Sequence, residues 1–331
     1  MFREEKIPDL PFVYDETSKT PYFFIDNSTL ERFTTCKRSY LYYGLHKRET
    51  RQIGSALSFG TLIHSCLDLR YRWLAKHATR STDSTIYKTE VETAQHHLIE
   101  EHFKNNPIDI SDHRTAAMAR EVCSIYDWTY AQEPFSVATS DKGPIVEVPF
   151  AVPLGIVHYR SIPVQIMWTG RIDLGVEWDD GKFMHGDHKT TSMGGEQYFE
   201  SFINDQGQIG YCWATQKILN LQVSGFFINA LVVRKPTKTG TSIEMMRRRY
   251  YVEQERIDEW EYNTLQLVSS LFEDHAAERF PMETKWCVGK FGRCSYLDIC
   301  SVNPSGRLPI LYSNLFGDVV WSPLNKTTQT T

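Results

Sequence analysis

Apolar positions follow helical spacing as far as about residue 133, alternate with a period of two from Ile145, and then mix the two patterns. Residues 1–24, rich in proline and aromatics, read as extended chain. In IDNSTLERFTTCKRSYLYYGL, Leu30, Phe33 and Leu41 make a buried stripe flanked by Tyr40 and Tyr43, with Cys36 on the same helix. Ser28 and Glu31 form a capping box that starts this helix near Asn27. SALSFGTLIHSCLDLRYRWLAK is a second helix, with Gly60 and His64 one turn apart on one face. That spacing lets another backbone approach at the glycine while the histidine projects beside it. Two further amphipathic helices fill residues 84–133, separated by a break at Asn105-Asn106-Pro107; His96 and His97 are surface residues there.

From Ile145 the segments IVEVPFAV, HYRSIPVQIMW and TGRIDLGVEWDDGKFMHGDHKTT give a meander of strands. A Ser-Met-Gly-Gly bend then leads into one helix, EQYFESFINDQGQIGYCWATQKILN, with a weak point at Gly207. GFFINALVVRK suits the centre of a sheet, MRRRYYV is another strand, and a long amphipathic helix ends before Pro281. The final SPLNKTTQTT is polar and frayed.

The segment from Thr169 to Thr191 carries the chemistry. Asp179-Asp180-Gly181 has the composition of a hairpin turn, with the glycine free to take a positive φ. Numbering outward from Asp180 sets Asp173 opposite Asp187, and puts Gly175, Glu177, His185 and Lys189 on that face. Ile172, Leu174, Val176 and Trp178 form the opposite, core-facing side. Like charges directly opposite one another destabilise a sheet unless something neutralises them. A divalent cation would do so; a solvated hairpin end is the competing reading. Asp173 and Asp187 offer the hard oxygens that Mg²⁺ or Mn²⁺ prefers. Lys189 would orient a water or stabilise a pentavalent phosphoryl transition state. Glu147, on the first strand, is either a further approach to the metal or a surface residue.

Composition narrows the class. With 331 residues, 41% hydrophobic, the chain can bury a large core, and its 13% aromatic content excludes a disordered protein. No run of eighteen apolar residues and no apolar N-terminal segment is present, so a cytoplasmic protein with no membrane role is expected. A net charge of −5 excludes a wholly basic nucleic-acid coat but not a local basic groove. Arg247 and Arg249 share a strand face and would contact successive phosphates, an edge strand guarded by charge being the alternative. Gln208 and Tyr211, three apart on a helix, share a face that can reach a phosphate or base. Seven cysteines without a secretion signal argue against a disulfide framework. Cys287, Cys294 and Cys300, crowded into WCVGKFGRCSYLDIC, point to metal or iron–sulfur ligation. Cys66, Cys123 and Cys212 fall in helical patterns and read as packed thiols.

G-x-(I/V)-D, a turn, and D-x-K-T together resemble the core of the PD-(D/E)XK nucleases, closest to the RecB/AddB-like exonuclease branch with its CRISPR-associated adaptation and phage relatives. S-x-L-x-x-F-x-x-C-x-R-x-Y around Cys36, Arg38 and Tyr40 resembles that branch's first helix, and Gly60-x-x-x-His64 its metal-binding histidine. The resemblance implies a restriction-endonuclease-like α/β fold, a mixed central sheet flanked by helices. It divides the chain into an N-terminal segment (1–64), a helical insertion (65–135), the nuclease core (136–280), a cysteine-rich region (281–315) and a tail (316–331). It also implies that His64 and the His188 carbonyl join Asp173 and Asp187 on Mg²⁺ or Mn²⁺. Cys36 would join Cys287, Cys294 and Cys300 on a [4Fe–4S] cluster, with Zn²⁺ as the rival. Arg38, Gln208, Tyr211, Arg247 and Arg249 are the expected DNA contacts. Two departures stand: the branch spaces its Gln and Tyr by four, and it has a short C-x-x-C step where Cys287 and Cys294 lie further apart. The implied activity is a metal-dependent DNA exonuclease in recombination, repair or phage DNA metabolism, in a bacterial or phage-infected cell. A non-catalytic DNA-binding subunit and an RNA-processing nuclease are the alternatives. DNA is the implied partner, with a helicase, recombinase or integrase left open beside it.

Overall fold

The computed structural model describes residues 6–14, 19–51, 54–107, 109, 112–237, 240–289 and 292–319. The polar tail SPLNKTTQTT lies outside them. No described helix is long and apolar enough to cross a membrane. In chain order the elements used below are β1 (Pro21–Ile25), α1 (Asn27–Thr35), α2 (Lys37–Tyr40), α3 (Ser55–Lys76), α4 (Thr93–Asn105), α5 (Ala116–Thr129), β2 (Phe135–Val137), β3 (Val146–Tyr159), β4 (Ile162–Trp178), β5 (Phe183–Thr191), α6 (Gln206–Leu219), β6 (Gly225–Thr237), β7 (Gly240–Tyr251) and α7 (Gln254–Ala276).

The described residues form two compact units. One draws on Met1–Gln52, Phe150–Gly170 and Glu259–Gln329, the other on Ile53–Pro149 and Arg171–Asp258. In the first, β1 runs parallel to the start of β4, from Tyr22 beside Gln165 to Ile25 beside Trp168. α7 covers this pair: Trp260 meets Trp168 edge-on at 5.0 Å, and Phe272 meets Phe23 at 5.2 Å. The helix ahead of Cys36 begins where the sequence places it, but its cap is Asp26, whose carboxylate accepts the Thr29 N–H at 2.8 Å. Ser28 lies inside the first turn and makes no box with Glu31. Cys36 is not within a helix either. It is the extended joint, φ −159° and ψ 109°, between α1 and α2.

The second unit holds a mixed sheet in the order β2-β4-β5-β6-β7. β4 pairs antiparallel with β2 and β5, β5 runs parallel to β6, and β6 is antiparallel to β7. The parallel step needs a crossover, and α6 supplies it. β6 is buried without interruption from Gly225 to Val233, as a central strand covered on both faces should be. On one face, Ile63 and Tyr71 of α3 and Val122 and Tyr126 of α5 pack on Leu174, Val176, Phe227 and Leu231. Each such side chain contributes about 1.5–3 kcal/mol by leaving water. On the other face α6 buries Ile209, Cys212 and Trp213. This is the helix-flanked mixed α/β sheet the sequence implies.

The β4–β5 hairpin closes as read. Trp178 N–H donates to the Lys182 carbonyl at 3.0 Å, Gly181 N–H donates back to Trp178 at 2.8 Å, and Gly181 has φ +73°. That is a three-residue loop with a left-handed final residue, the position glycine fills without strain. The helix after Thr191 is broken, however. A short helix, Glu196–Glu200, ends, and α6 starts afresh at Gln206. The break falls at Asp205, ahead of Gly207, because Asp205 accepts the Gln208 N–H at 3.0 Å and caps the new helix.

Candidate active site

Leu174 pairs with Gly186 across the hairpin, and at the next position outward Asp173 faces Asp187. Period two then sends Asp187 and Lys189 to one side of β5 and His188 to the other. Asp173 Oδ2 accepts the backbone N–H of His188 at 3.2 Å. Lys189 Nζ lies 2.7 Å from Asp187 Oδ2, which also accepts from the Gln208 side-chain amide. From α3, His64 Nδ1 approaches Asp173 Oδ2 to 3.4 Å. Gly60 brings no close backbone: a Cβ there would meet only the Thr190 side chain, at 3.9 Å. Its place in the Gly60/His64 pair is therefore not steric.

Glu147 completes the group. Among the described residues, His64, Glu147 and Asp173 are the set of three whose donor atoms all lie within 4.8 Å of one another. Glu147 has φ +52°, a left-handed conformation inside β3 that aims its carboxylate where regular alternation would not. Nothing in the sequence around it, neither glycine nor asparagine, signals this turn of the backbone. Glu147 also pairs with Arg171 at 3.7 Å.

Electrostatics show what the arrangement lacks. Burial, then the charges of Asp187 and Glu147, push the Asp173 carboxyl well above its ordinary range, and Lys189 offsets this only in part. Burial acts on Asp187 in the same direction, but Lys189, His64 and the Gln208 amide together hold it below the usual value. Burial tends to discharge Lys189, yet Asp187 and Asp173 keep it firmly protonated. His64 is lowered by burial, with Asp187 and a hydrogen bond to the His188 backbone pulling the other way. A neutral imidazole beside two carboxylates, one of them under-neutralised, is a donor set that fits a divalent cation. Replacing Glu147 with glutamine should raise the Mg²⁺ or Mn²⁺ concentration for half-maximal cleavage about tenfold or more. An unchanged requirement in a metal titration would leave Glu147 only its ion pair with Arg171.

Gln208 is buried and turned inward. Its amide nitrogen bonds Asp187, while its oxygen sits 3.0 Å from His185 Nε2. Burial pushes His185 down to about 4, so the ring is neutral and its Nε2–H fixes which way the amide points. Tyr211 lies one turn on, its hydroxyl accepting the Arg171 N–H at 3.5 Å. Both residues thus serve the carboxylate strands. Of the expected basic contacts, Arg247 is not presented to solvent: its side chain is 9% exposed and pairs with Glu133 at 2.6 Å. It pairs across the strands with Asn229, so its face of β7 looks onto the helical layer, which strand alternation alone could not reveal. Arg249 lies over the Trp178 ring at 4.3 Å and pairs with Asp180 at 2.8 Å. In the other unit, Arg38 Nε donates to the Phe280 carbonyl at 2.7 Å.

That unit holds a second constellation. Cys36, Cys287, Cys294 and Cys300, all unpaired and partly exposed, are among the residues that line an open cavity of about 440 Å³. The Glu283 N–H points to Cys36 Sγ at 3.4 Å, and the Cys294 N–H donates to the Cys287 carbonyl at 2.9 Å, folding the cysteine loop toward the α1–α2 joint. Burial raises Cys300 to about 11, with Cys294 and Cys36 adding to the rise; burial and the same two neighbours raise Cys287. Thiols that oppose one another's ionisation around an open space suit a cationic metal group. Cys66, Cys123 and Cys212 are buried, as packed thiols should be.

Comparison with known proteins agrees with this geometry. No curated protein matches the chain. The crystal structure of SSO0001 is similar at 13% identity over 67% of this chain and 81% of that one, with a TM-score of 0.27, too weak a likeness to add to the fold. The model of the PD-(D/E)XK nuclease superfamily matches residues 27–301, a span that takes in α3, the β4–β5 hairpin and the cysteine loop. The chain belongs to the PD-(D/E)XK nuclease superfamily.

Proposed function

We propose that this nuclease is a metal-dependent deoxyribonuclease of exonuclease type, hydrolysing phosphodiester bonds at DNA ends or in single strands. The observation that carries the reading is the meeting of His64, Glu147 and Asp173 beside the Asp187–Lys189 pair. His64, Asp173 and Asp187, with Glu147 and the His188 carbonyl, would hold Mg²⁺ or Mn²⁺. Bound there, the cation polarises a phosphate oxygen and acidifies a water. Lys189 stays charged and directs its N–H groups at the phosphoryl oxygens or the attacking water, held in place by Asp187. Its charge is worth most as negative charge builds in the transition state. Gln208 keeps Asp187 from rotating away.

A [4Fe–4S] cluster on Cys36, Cys287, Cys294 and Cys300 is part of the same reading. The four cysteines line one cavity, and four thiolates are the usual ligand set of such a cluster, with zinc, which also accepts four, as the rival.

Digestion of end-labelled linear DNA, circular DNA and RNA with Mg²⁺, Mn²⁺ or EDTA tests the function. Linear DNA should be degraded with either cation, circular duplex should resist, and EDTA should stop the reaction. Cleaved circles would make the enzyme an endonuclease, and RNA cleavage alone an RNA-processing nuclease. Folded protein inert with every cation would make it a non-catalytic binding subunit.

A further inference from the structure

Behind the candidate cation site lies a polar ladder that the proposed reaction does not use. His188, Asn229 and Arg247 are direct neighbours across β5, β6 and β7, on the face opposite Asp187 and Lys189. His188 and Asn229 are 3% and 1% exposed. The Asn229 amide nitrogen donates to His188 Nδ1 at 3.1 Å and to the Tyr126 hydroxyl at 3.0 Å. Its oxygen accepts from Arg247 Nε in a short bond. Since an amide nitrogen only donates, His188 Nδ1 accepts and the proton sits on Nε2. Arg247 then pairs with Glu133 at 2.6 Å, and the other oxygen of Glu133 accepts the Tyr71 hydroxyl at 2.9 Å.

Tyr71 closes the circuit. It lies on α3 seven residues after His64, hence two turns along the same face. Its ring stacks on His188 with centroids 5.5 Å apart and planes 12° from parallel. The His64 ring also meets the His188 ring, edge-on at 5.8 Å. So the helix that carries His64 is fastened to the strand that carries Asp187 through His188, by a stack and by the ladder. A buried ion pair of this kind often gains little or nothing over apolar packing of equal volume. Its position is therefore better explained by placement than by stability.

We propose that the Glu133–Arg247–Asn229–His188 ladder is a positioning device for the cation site, setting His64 and the His188 backbone against Asp173. Glu133, Arg247 and Asn229 touch neither substrate nor cation and act through His188, whose backbone carbonyl is the ladder's one contact with the cation. The proposal rests on the cation reading above, and the experiment separates the two. Asn229→Leu keeps the branched shape with a somewhat larger side chain and severs the ladder. His188→Phe keeps the ring on Tyr71 and removes the accepting nitrogen. Gln95→Leu is the control: it deletes a buried 3.0 Å bond to the Cys66 carbonyl in the same unit, away from the ladder. Mn²⁺ binding to the full-length proteins is read directly from the paramagnetic resonance of free Mn²⁺, with thermal melting alongside. Asn229→Leu and His188→Phe should each weaken Mn²⁺ about ten- to a hundredfold, the range for lost outer-shell support. Gln95→Leu should lower the melting temperature and leave Mn²⁺ affinity alone. Unchanged affinity in a folded Asn229→Leu or His188→Phe protein overturns the ladder's role while the cation reading stands. Failure of both to fold would make the ladder structural and overturn it as well. Unsubstituted protein that binds no Mn²⁺ overturns the cation reading, and the ladder's purpose with it.

Discussion

Lys189→Ala is expected to slow DNA cleavage by on the order of 10²–10³-fold, about 3–4 kcal/mol of transition-state stabilisation, without unfolding the protein. The Lys189 side chain is 41% exposed, so its removal leaves no buried cavity, yet its ammonium lies 2.7 Å from a nearly buried Asp187. Folding loses a cation that Asp187 wants, and chemistry loses a positive side chain placed at the proposed reacting centre. The first loss is softened by Gln208, which keeps its bond to Asp187. The second is not made good by the neighbouring described arginines, because Arg171 is engaged with Glu147 and Arg247 with Glu133. Single-turnover cleavage of labelled DNA at saturating Mn²⁺, with a melting curve for the same preparation, measures both terms. Near-normal rates in folded Lys189→Ala protein would remove Lys189 from the chemistry. Asp173→Ala and Asp187→Ala should be at least as severe, since each takes away a ligand as well as a charge.

The hairpin was legible because three local rules agree on it: a turn with glycine in the left-handed position, strict alternation, and charge on one face only. Elements with strong periodicity were legible for the same reason, among them α3, β6 and α7. What sequence could not supply was anything set by a contact far along the chain. Glu147 could be read either as an approach to the metal or as a surface residue, because the left-handed backbone that decides between them has no sequence marker. Arg247 looks like half of a phosphate-binding pair, but Glu133, 114 positions away, claims it. Gln208 reads as a solvent-reaching helical residue until β5 is set beside α6 and Asp187 meets its amide. The helix breaks at Cys36 and before Gln206 were hidden by sequences that carry helical spacing straight through them. Cys36 forms the first joint, and at the second the Asp205 cap opens the helix that carries Gln208.

Cys294→Ser is the change expected to cost most in stability. The proposed cluster ties the α1–α2 joint to a loop about 250 residues further on. In the chain-entropy view, closing a loop of that length is worth on the order of 5 kcal/mol, comparable to the whole stability of many domains. Cys294 is central to the loop: its N–H bonds the Cys287 carbonyl, and Cys294 adds to the rise in both Cys287 and Cys300. Cys287 and Cys300, whose ionisation burial and neighbouring thiols oppose, gain most from a group that binds them as thiolates. Protein purified without oxygen should therefore be brown, with visible charge-transfer absorbance that Cys294→Ser abolishes together with a large fall in melting temperature. Cleavage should fall only as far as the protein unfolds, because His64, Asp173 and Lys189 belong to the other unit. Colourless protein with stoichiometric zinc would replace the iron and keep the crosslink. Colourless, metal-free protein whose melting is indifferent to Cys294→Ser would leave the cavity with no crosslinking role.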